Sequence, residues 1–313
     1  MRPGPIAVLV ALAVYASAST VAAAAVAGWW RRPGRPRSAA AIFAARLLPA
    51  AAGLAMVLLA TPAFVRYEPA GEEAVGPLLA ALAVGGALLV TSGLWRAARA
   101  LTLTWRLDRS WRAGARPVLL GMGLRAEIVD VPYPLVAVIG VVRPRVLIAE
   151  AVAARCTEDE LRRMAAHEHA HVRARDNLKR LLLECCPDVL RVTATGAAMV
   201  AAWDAAAEDA ADDRATGSDP SARAALAAVL VKVARLATGA PAGTGFASTL
   251  VGIGNVERRV RRLLADGPRT AAACGPVALA ATLGLTAAAW LAAHPAVARG
   301  VHDGLEALVQ FGR

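Results

Sequence analysis

Four stretches of this chain are apolar, free of Asp, Glu, Lys and Arg, and long enough to cross a bilayer, and this limits its architecture more than any other feature. A hydrocarbon core of about 30 Å takes roughly 20 apolar residues in a helix. Residues 5–28, 47–65, 77–95 and 270–294 meet that length. No water is available there to bond the backbone, so each is read as a transmembrane α-helix. Trp29, Trp30, Trp95 and Trp290 fall near the ends of these stretches, where indole rings favour the headgroup layer. With 57% of its 313 residues hydrophobic, the chain is too apolar for a wholly soluble protein.

The first stretch has the basic start and small-residue end of a cleaved leader, yet its apolar run is longer than the roughly 7–15 residues of a leader's core. Cleavage would also leave Arg31, Arg32, Arg35 and Arg37 outside, against the tendency of short basic loops to stay cytoplasmic. It is read as a retained span. The same bias sets the orientation. Arg96, Arg99, Arg106, Arg109, Arg112 and Arg116 follow the third span, and Arg258, Arg259, Arg261, Arg262 and Arg269 precede the fourth. The loop between spans two and three carries only Arg66 beside Glu68, Glu72 and Glu73. Both termini are expected outside the plasma membrane, with the region between spans three and four in the cytoplasm.

A net charge of +11 raises the question of nucleic acid. The arginines gather at span ends rather than along one soluble face, so topology accounts for them and direct nucleic-acid binding is not expected. Cys156, Cys185, Cys186 and Cys274 lack paired CxxC spacing and read as small buried hydrophobes, not as a disulfide framework or a thiolate zinc site.

Residues 96–269 differ in character: charges are spread throughout, and strand and helix periods alternate. This is the expected globular domain, of α+β type, leaving residues 295–313 as a short outer tail. Short β-branched runs at 127–131, 135–141 and 145–148, punctuated by Pro132, Pro134, Gly140 and Pro144, predict a small antiparallel sheet. Thr157 followed by Glu160 is a capping-box pattern that opens a helix through His171. Apolar spacing predicts a helix at 189–203, another at 203–214 that could be continuous with it, and a further one at 222–237 after the Gly217-Ser218-Asp219-Pro220 turn. The Gly/Pro/Thr-rich stretch 239–245 reads as a surface connector that could border a cleft.

Three of the five histidines lie in His167-Glu168-His169-Ala170-His171, an H-E-x-x-H pattern. Residues four apart share a helix face, so His167 and His171 can offer two imidazole nitrogens to one metal. Glu168 sits about a hundred degrees round, within reach of a metal-bound water but not itself a ligand. Catalytic zinc takes three protein ligands and keeps one position open. Glu208 is the expected third ligand, with Glu184, Asp204 and Asp209 as alternatives. Asp212, one turn beyond Glu208, is placed to hold a ligating histidine by a hydrogen bond. His169 points off the shared face and reads as packed or solvated, while Asp176 and Asn177 read as helix-end residues that satisfy backbone donors.

At these residues the chain resembles the integral-membrane gluzincin peptidases typified by the β-lactam sensor-transducers (BlaR/MecR type), and more distantly the HtpX and CAAX-prenyl endopeptidases. The likeness covers nearly the whole chain: three spans, a strand region with Arg143-Pro144-Arg145-Val146, the run from His167 to Asn177, then Glu208 to Asp212 and a final span. It implies a zincin-like cytoplasmic domain with one Zn²⁺ that cuts a protein substrate, typically a DNA-binding transcriptional repressor, in response to an outside signal. It also suggests that an edge strand near 136–142 holds extended substrate by strand addition. Only about twenty residues follow the fourth span, far too few for a penicillin-binding sensor domain, so any signal would arrive through the spans, the outer loop or a partner. Other readings are a zinc-binding membrane signalling or scaffold protein without turnover, and a membrane-protein quality-control protease. A transporter would want ionisable groups inside the spans, and the four stretches hold none.

Overall fold

The computed structural model describes residues 4–34, 38–67, 75–112, 114–236, 248–249 and 253–265, with a few isolated positions between 294 and 303. Its contacts separate two units. The first takes in the described residues up to Trp95 together with Cys185–Ala201, and the second takes in Arg96–Glu184 and those from Ala202 to Ala265.

The first unit begins with α1 (Gly4–Trp30), α2 (Ala39–Tyr67) and the first part of α3 (Pro77–Arg112). Among the described residues these are the helices long and apolar enough to cross a membrane. Their outward side chains include Val21, Leu54, Leu78, Val84 and Leu88, all exposed, a surface suited to acyl chains rather than water. Small residues let the backbones meet. A Cβ added at Gly86 of α3 would lie 2.2 Å from the Leu12 carbonyl oxygen of α1, so only glycine permits this approach. The proposed fourth span, residues 270–294, lies outside the described residues.

The second unit is built on a five-stranded sheet in the order β1-β2-β4-β3-β5. Its strands are β1 (Arg116–Leu120), β2 (Leu124–Val129), β3 (Val136–Ile139), β4 (Arg145–Ala149) and, much later in the chain, the two-residue β5 (Ser248–Thr249). The sheet is mixed, which corrects the antiparallel expectation: β2 pairs with β4 in parallel, Glu127 opposite Leu147 and Val129 opposite Ala149. The reason is that β3 folds back outside β4 as a hairpin, leaving β4 to run alongside β2 in the same direction. Gly140 makes the tight turn of that hairpin at φ 94°. Nor is β3 an open edge, because Ala137 and Val138 pair with Thr249 and Ser248 of β5.

Helices follow the sheet: α4 (Glu150–Ala153), α5 (Glu158–Ala174) and α6 (Asp176–Cys185). A 3-10 turn (Val189–Val192) leads into α7 (Ala194–Thr216), then come α8 (Pro220–Leu236) and α9 (Ile253–Ala265). The expected helix at 189–203 is thus a short 3-10 turn and the start of one continuous α7. The core of the unit joins the sheet residues Val136, Val138, Leu147 and Ile148 to Met164 and Ala165 of α5 and Leu226 and Leu230 of α8. Residues of α5 lie against β1 through β4, and those of α8 against both α5 and α9. The stretch 239–245, read as a connector, lies outside the described residues, as does Cys274; among the described residues Cys156, Cys185 and Cys186 are not joined in disulfides.

Within the first unit, the 3-10 turn is tied to the long helices. Asp188 accepts a hydrogen bond from the Leu190 amide at 2.9 Å and pairs with Arg46 of α2 at 2.7 Å. Both side chains are almost fully buried, at 1% and 0% exposure. Arg46 precedes the apolar stretch read as the second span, but α2 starts earlier, at Ala39, and incorporates it. Tyr15 of α1 donates to the Pro187 carbonyl at 3.0 Å.

Candidate metal centre

Local sequence fixes where α5 begins and ends, and thereby where its imidazoles stand. Thr157 Oγ1 accepts from the Glu160 amide at 3.3 Å, and the Glu160 carboxylate accepts from the Thr157 amide at 2.8 Å, a reciprocal cap at the N-terminus. At the other end Arg175 adopts a left-handed conformation, φ 54°, and the chain turns directly into α6. Between these ends, α5 buries Met164, Ala165, His167, Glu168, Ala170 and His171 on one face.

His167 and His171 bring their Nε2 atoms to 3.2 Å from one another. Glu208, projecting from α7, sets its two carboxylate oxygens 3.4 Å from His167 Nε2 and 3.6 Å from His171 Nε2. Among the described residues these three form the group of side chains able to hold a metal ion; Glu184, Asp204 and Asp209 are not part of it. Asp204 pairs instead with Arg180 at 2.8 Å and Asp209 with Arg258 at 2.6 Å.

Each imidazole is oriented from behind. Asp212 Oδ1 lies 2.9 Å from His167 Nδ1, and Asp176 Oδ2 lies 2.8 Å from His171 Nδ1. With Nδ1–H directed at a carboxylate, Nε2 is left with its lone pair for a metal. Asp212 thus stands behind His167, one turn beyond Glu208 on α7. The position of Asp176 does not match its reading as a residue that satisfies backbone donors. The left-handed Arg175 swings the first residue of α6 back under the helix it has just left, so the Asp176 side chain reaches an imidazole. Asn177 also differs: its amide donates to the carbonyls of Val138 at 3.1 Å and Gly140 at 3.0 Å, tying α6 to the end of β3. His169 is off the shared face, its Nε2 2.9 Å from the Arg125 carbonyl of β2.

Arg259 of α9 is the residue the sequence reading assigned to membrane topology. Its guanidinium is buried, 2.9 Å from Glu208 Oε2 and 2.5 Å from Asp212 Oδ1. The amphipathic spacing of Val256, Val260 and Leu263 in 253–265 was the available signal that these arginines belong to a packed helix.

The charges are strongly coupled. Burial and Arg259 push His167 toward its neutral form, but hydrogen bonds to Asp212 and Glu208 outweigh them and raise it to about 9. Burial would lift Asp212, yet Arg259 and His167 hold it at about 2, and His167 and Arg259 likewise hold Glu208 well below the usual carboxylate range. Burial opposes the charge on Arg259, and Asp212 and Glu208 more than offset it.

The donor set fits zinc. Tetrahedral bonds of about 2.0–2.1 Å put ligand atoms about 3.3–3.5 Å apart, close to the separations found between the two Nε2 atoms and the Glu208 oxygens. Two imidazoles, one carboxylate and two Nδ1-orienting aspartates are the chemistry that such a site calls for.

A family model for peptidase family M48 matches residues 137–299, 163 of the 313 residues and so just over half of the chain, a span that includes β3 from Ala137 on, the H-E-x-x-H helix, Glu208, Asp212 and Arg259. Comparison with curated proteins and with solved structures gives no match.

Proposed function

This chain belongs to peptidase family M48, a family of zinc metallopeptidases, and on that premise we propose that it is a membrane-bound zinc metalloendopeptidase acting on a protein substrate. The observation that carries the reading is the meeting of His167, His171 and Glu208 at 3.2–3.6 Å, with Glu168 fully buried on the same helix. His167, His171 and Glu208 would hold zinc, which when bound would supply a Lewis acid for the scissile carbonyl and a water of lowered pKa. Glu168 takes the proton of the attacking water and returns it to the departing amine. Asp212 and Asp176 keep both imidazoles turned with Nε2 toward the metal. Burial of the site excludes bulk water and favours cleavage of a few proteins over general degradation.

The three apolar helices support a membrane location. The arginines that follow the first and third of them support an orientation with both termini outside and the peptidase in the cytoplasm. The fourth span at 270–294 belongs to the same proposal. Resemblance to the β-lactam sensor-transducers supports a transcriptional repressor as substrate and a role in signal transduction. Misfolded membrane proteins are the substrates if the role is quality control instead.

The test is cleavage of casein by the detergent-purified chain, comparing wild type with Glu168→Gln and His171→Ala. Activity should fall by about 10²–10⁴-fold in Glu168→Gln with zinc retained, and zinc should be lost from His171→Ala. Zinc binding combined with activity indifferent to Glu168, or no turnover in wild type, would favour a zinc-binding scaffold.

A further inference from the structure

The helix that carries Glu208 and Asp212 also presents Asp209 and Asp213, and all four acids are met by arginines. Arg258 of α9 pairs with Asp209 at 2.6 Å, and Arg262 pairs with Asp213. Arg223 of α8 donates to the Arg262 carbonyl at 3.1 Å and the Leu263 carbonyl at 3.2 Å, fixing the C-terminal end of α9. Arg259 lies between these pairs and differs from them in what it touches. Its Nη1 is 2.9 Å from Glu208 Oε2, while Nη2 and Nε are 2.5 and 3.0 Å from the two oxygens of Asp212. One guanidinium therefore spans the carboxylate that would bind the metal and the carboxylate that orients His167.

We propose that Arg259 is a positioning residue of the metal centre: by bridging Glu208 and Asp212 it holds the first toward the two imidazoles and the second against His167 Nδ1. The proposal rests on the zinc-peptidase reading and adds that α9 completes a site begun by α5 and α7. Charge balance supports it. The buried Glu168, Asp176 and Asp212 and the partly buried Glu208 bring four negative charges together. A dication, Arg259 and the Lys179 that pairs with Asp176 bring four positive ones, so the site is neutral with Glu168 ionised as a base must be. Two carboxylates one turn apart and largely shielded from water would otherwise repel, and Arg259 is the permanently charged side chain that meets both. The planar fork of an arginine can bind two carboxylates at once, whereas an ammonium acts as a point charge.

A plain helix-docking role would be shared with Arg258, which pairs with the neighbouring Asp209 but touches neither a metal ligand nor a ligand's partner. The experiment compares full-length wild type, Arg259→Lys and Arg258→Gln in detergent by zinc competition titration and by the visible spectrum of bound Co²⁺. Arg259→Lys keeps the charge and is expected to fold by far-ultraviolet circular dichroism. Its zinc affinity should fall about 10–100-fold, the range for residues that position ligands, and its cobalt bands should shift or weaken as the ligand geometry loosens. Arg258→Gln should keep wild-type values of both. Wild-type affinity and spectrum in Arg259→Lys would overturn the proposal, and so would an equal loss in Arg258→Gln. Should Arg259→Lys not fold, Asp212→Asn keeps an oxygen for His167 while removing the charge that anchors Arg259; it too should bind zinc more weakly, and unchanged affinity would overturn the proposal. A wild type that binds neither ion defeats the peptidase reading itself, whereas binding that is indifferent to Arg259 defeats only the positioning role.

Discussion

Asp176 reaches His171 through the geometry of one neighbour. Because Arg175 takes φ 54°, α5 stops and α6 starts with no intervening loop, and the first side chain of α6 lies 2.8 Å from the imidazole behind it. Burial would raise this carboxyl, yet its bonds to His171 and Lys179 hold it below the ordinary range, so it is an anion well placed to fix the Nδ1–H tautomer. Asp176→Ala should therefore lower zinc affinity about 10–100-fold without unfolding the chain. Asp176→Asn, which retains an acceptor oxygen, should recover part of that loss. A competition titration against a chromophoric chelator measures both, and equal wild-type affinity in the two variants would contradict this role.

At the scale of the elements, α5 was the most legible part of the chain because its signals are local. The capping box from Thr157 to Glu160 and the four-residue spacing of His167 and His171 follow from helical geometry alone. Thr157→Ala removes one member of that cap at an exposed position and should cost about 1 kcal/mol, seen as a lower unfolding midpoint with zinc stoichiometry unchanged. Long-range features were less legible. The β1–β2 hairpin turns through Gly121–Gly123 in a basic, Pro-containing stretch without clean alternation, and β5 is only two residues long, too short for a periodic pattern. The parallel pairing of β2 with β4 depends on β3 folding outside them, which no local signal encodes. Arg259 was misread for a related reason. An arginine cluster ahead of an apolar stretch satisfies the rule for membrane topology, while its pairing with Glu208 and Asp212 joins residues about fifty positions apart. By contrast Glu208 and Asp212 were legible, since two acids one turn apart on a helix share a face.

On the scale of the whole molecule, one sequence encodes both a unit of apolar helices and a mixed α/β unit, and each has its own buried charge. In the first, Arg46 and Asp188 pair at 2.7 Å with almost no exposure. Removing one partner of a buried pair leaves the other uncompensated, so Arg46→Met should destabilise by about 3–5 kcal/mol. Adding Asp188→Leu should restore part of it, as thermal unfolding in detergent would record; a single variant as stable as wild type would contradict the buried pairing. In the second unit the buried acids and arginines converge on two imidazoles, and the central claim is that this convergence is a zinc site. Zinc K-edge absorption on the purified full-length protein tests it most directly. The account predicts one zinc per chain bound by two imidazole nitrogens and by oxygen at about 2.0–2.2 Å, with the imidazole signal reduced in His171→Ala. Sulfur scattering at about 2.3 Å, or a spectrum unchanged by His171→Ala, would contradict it.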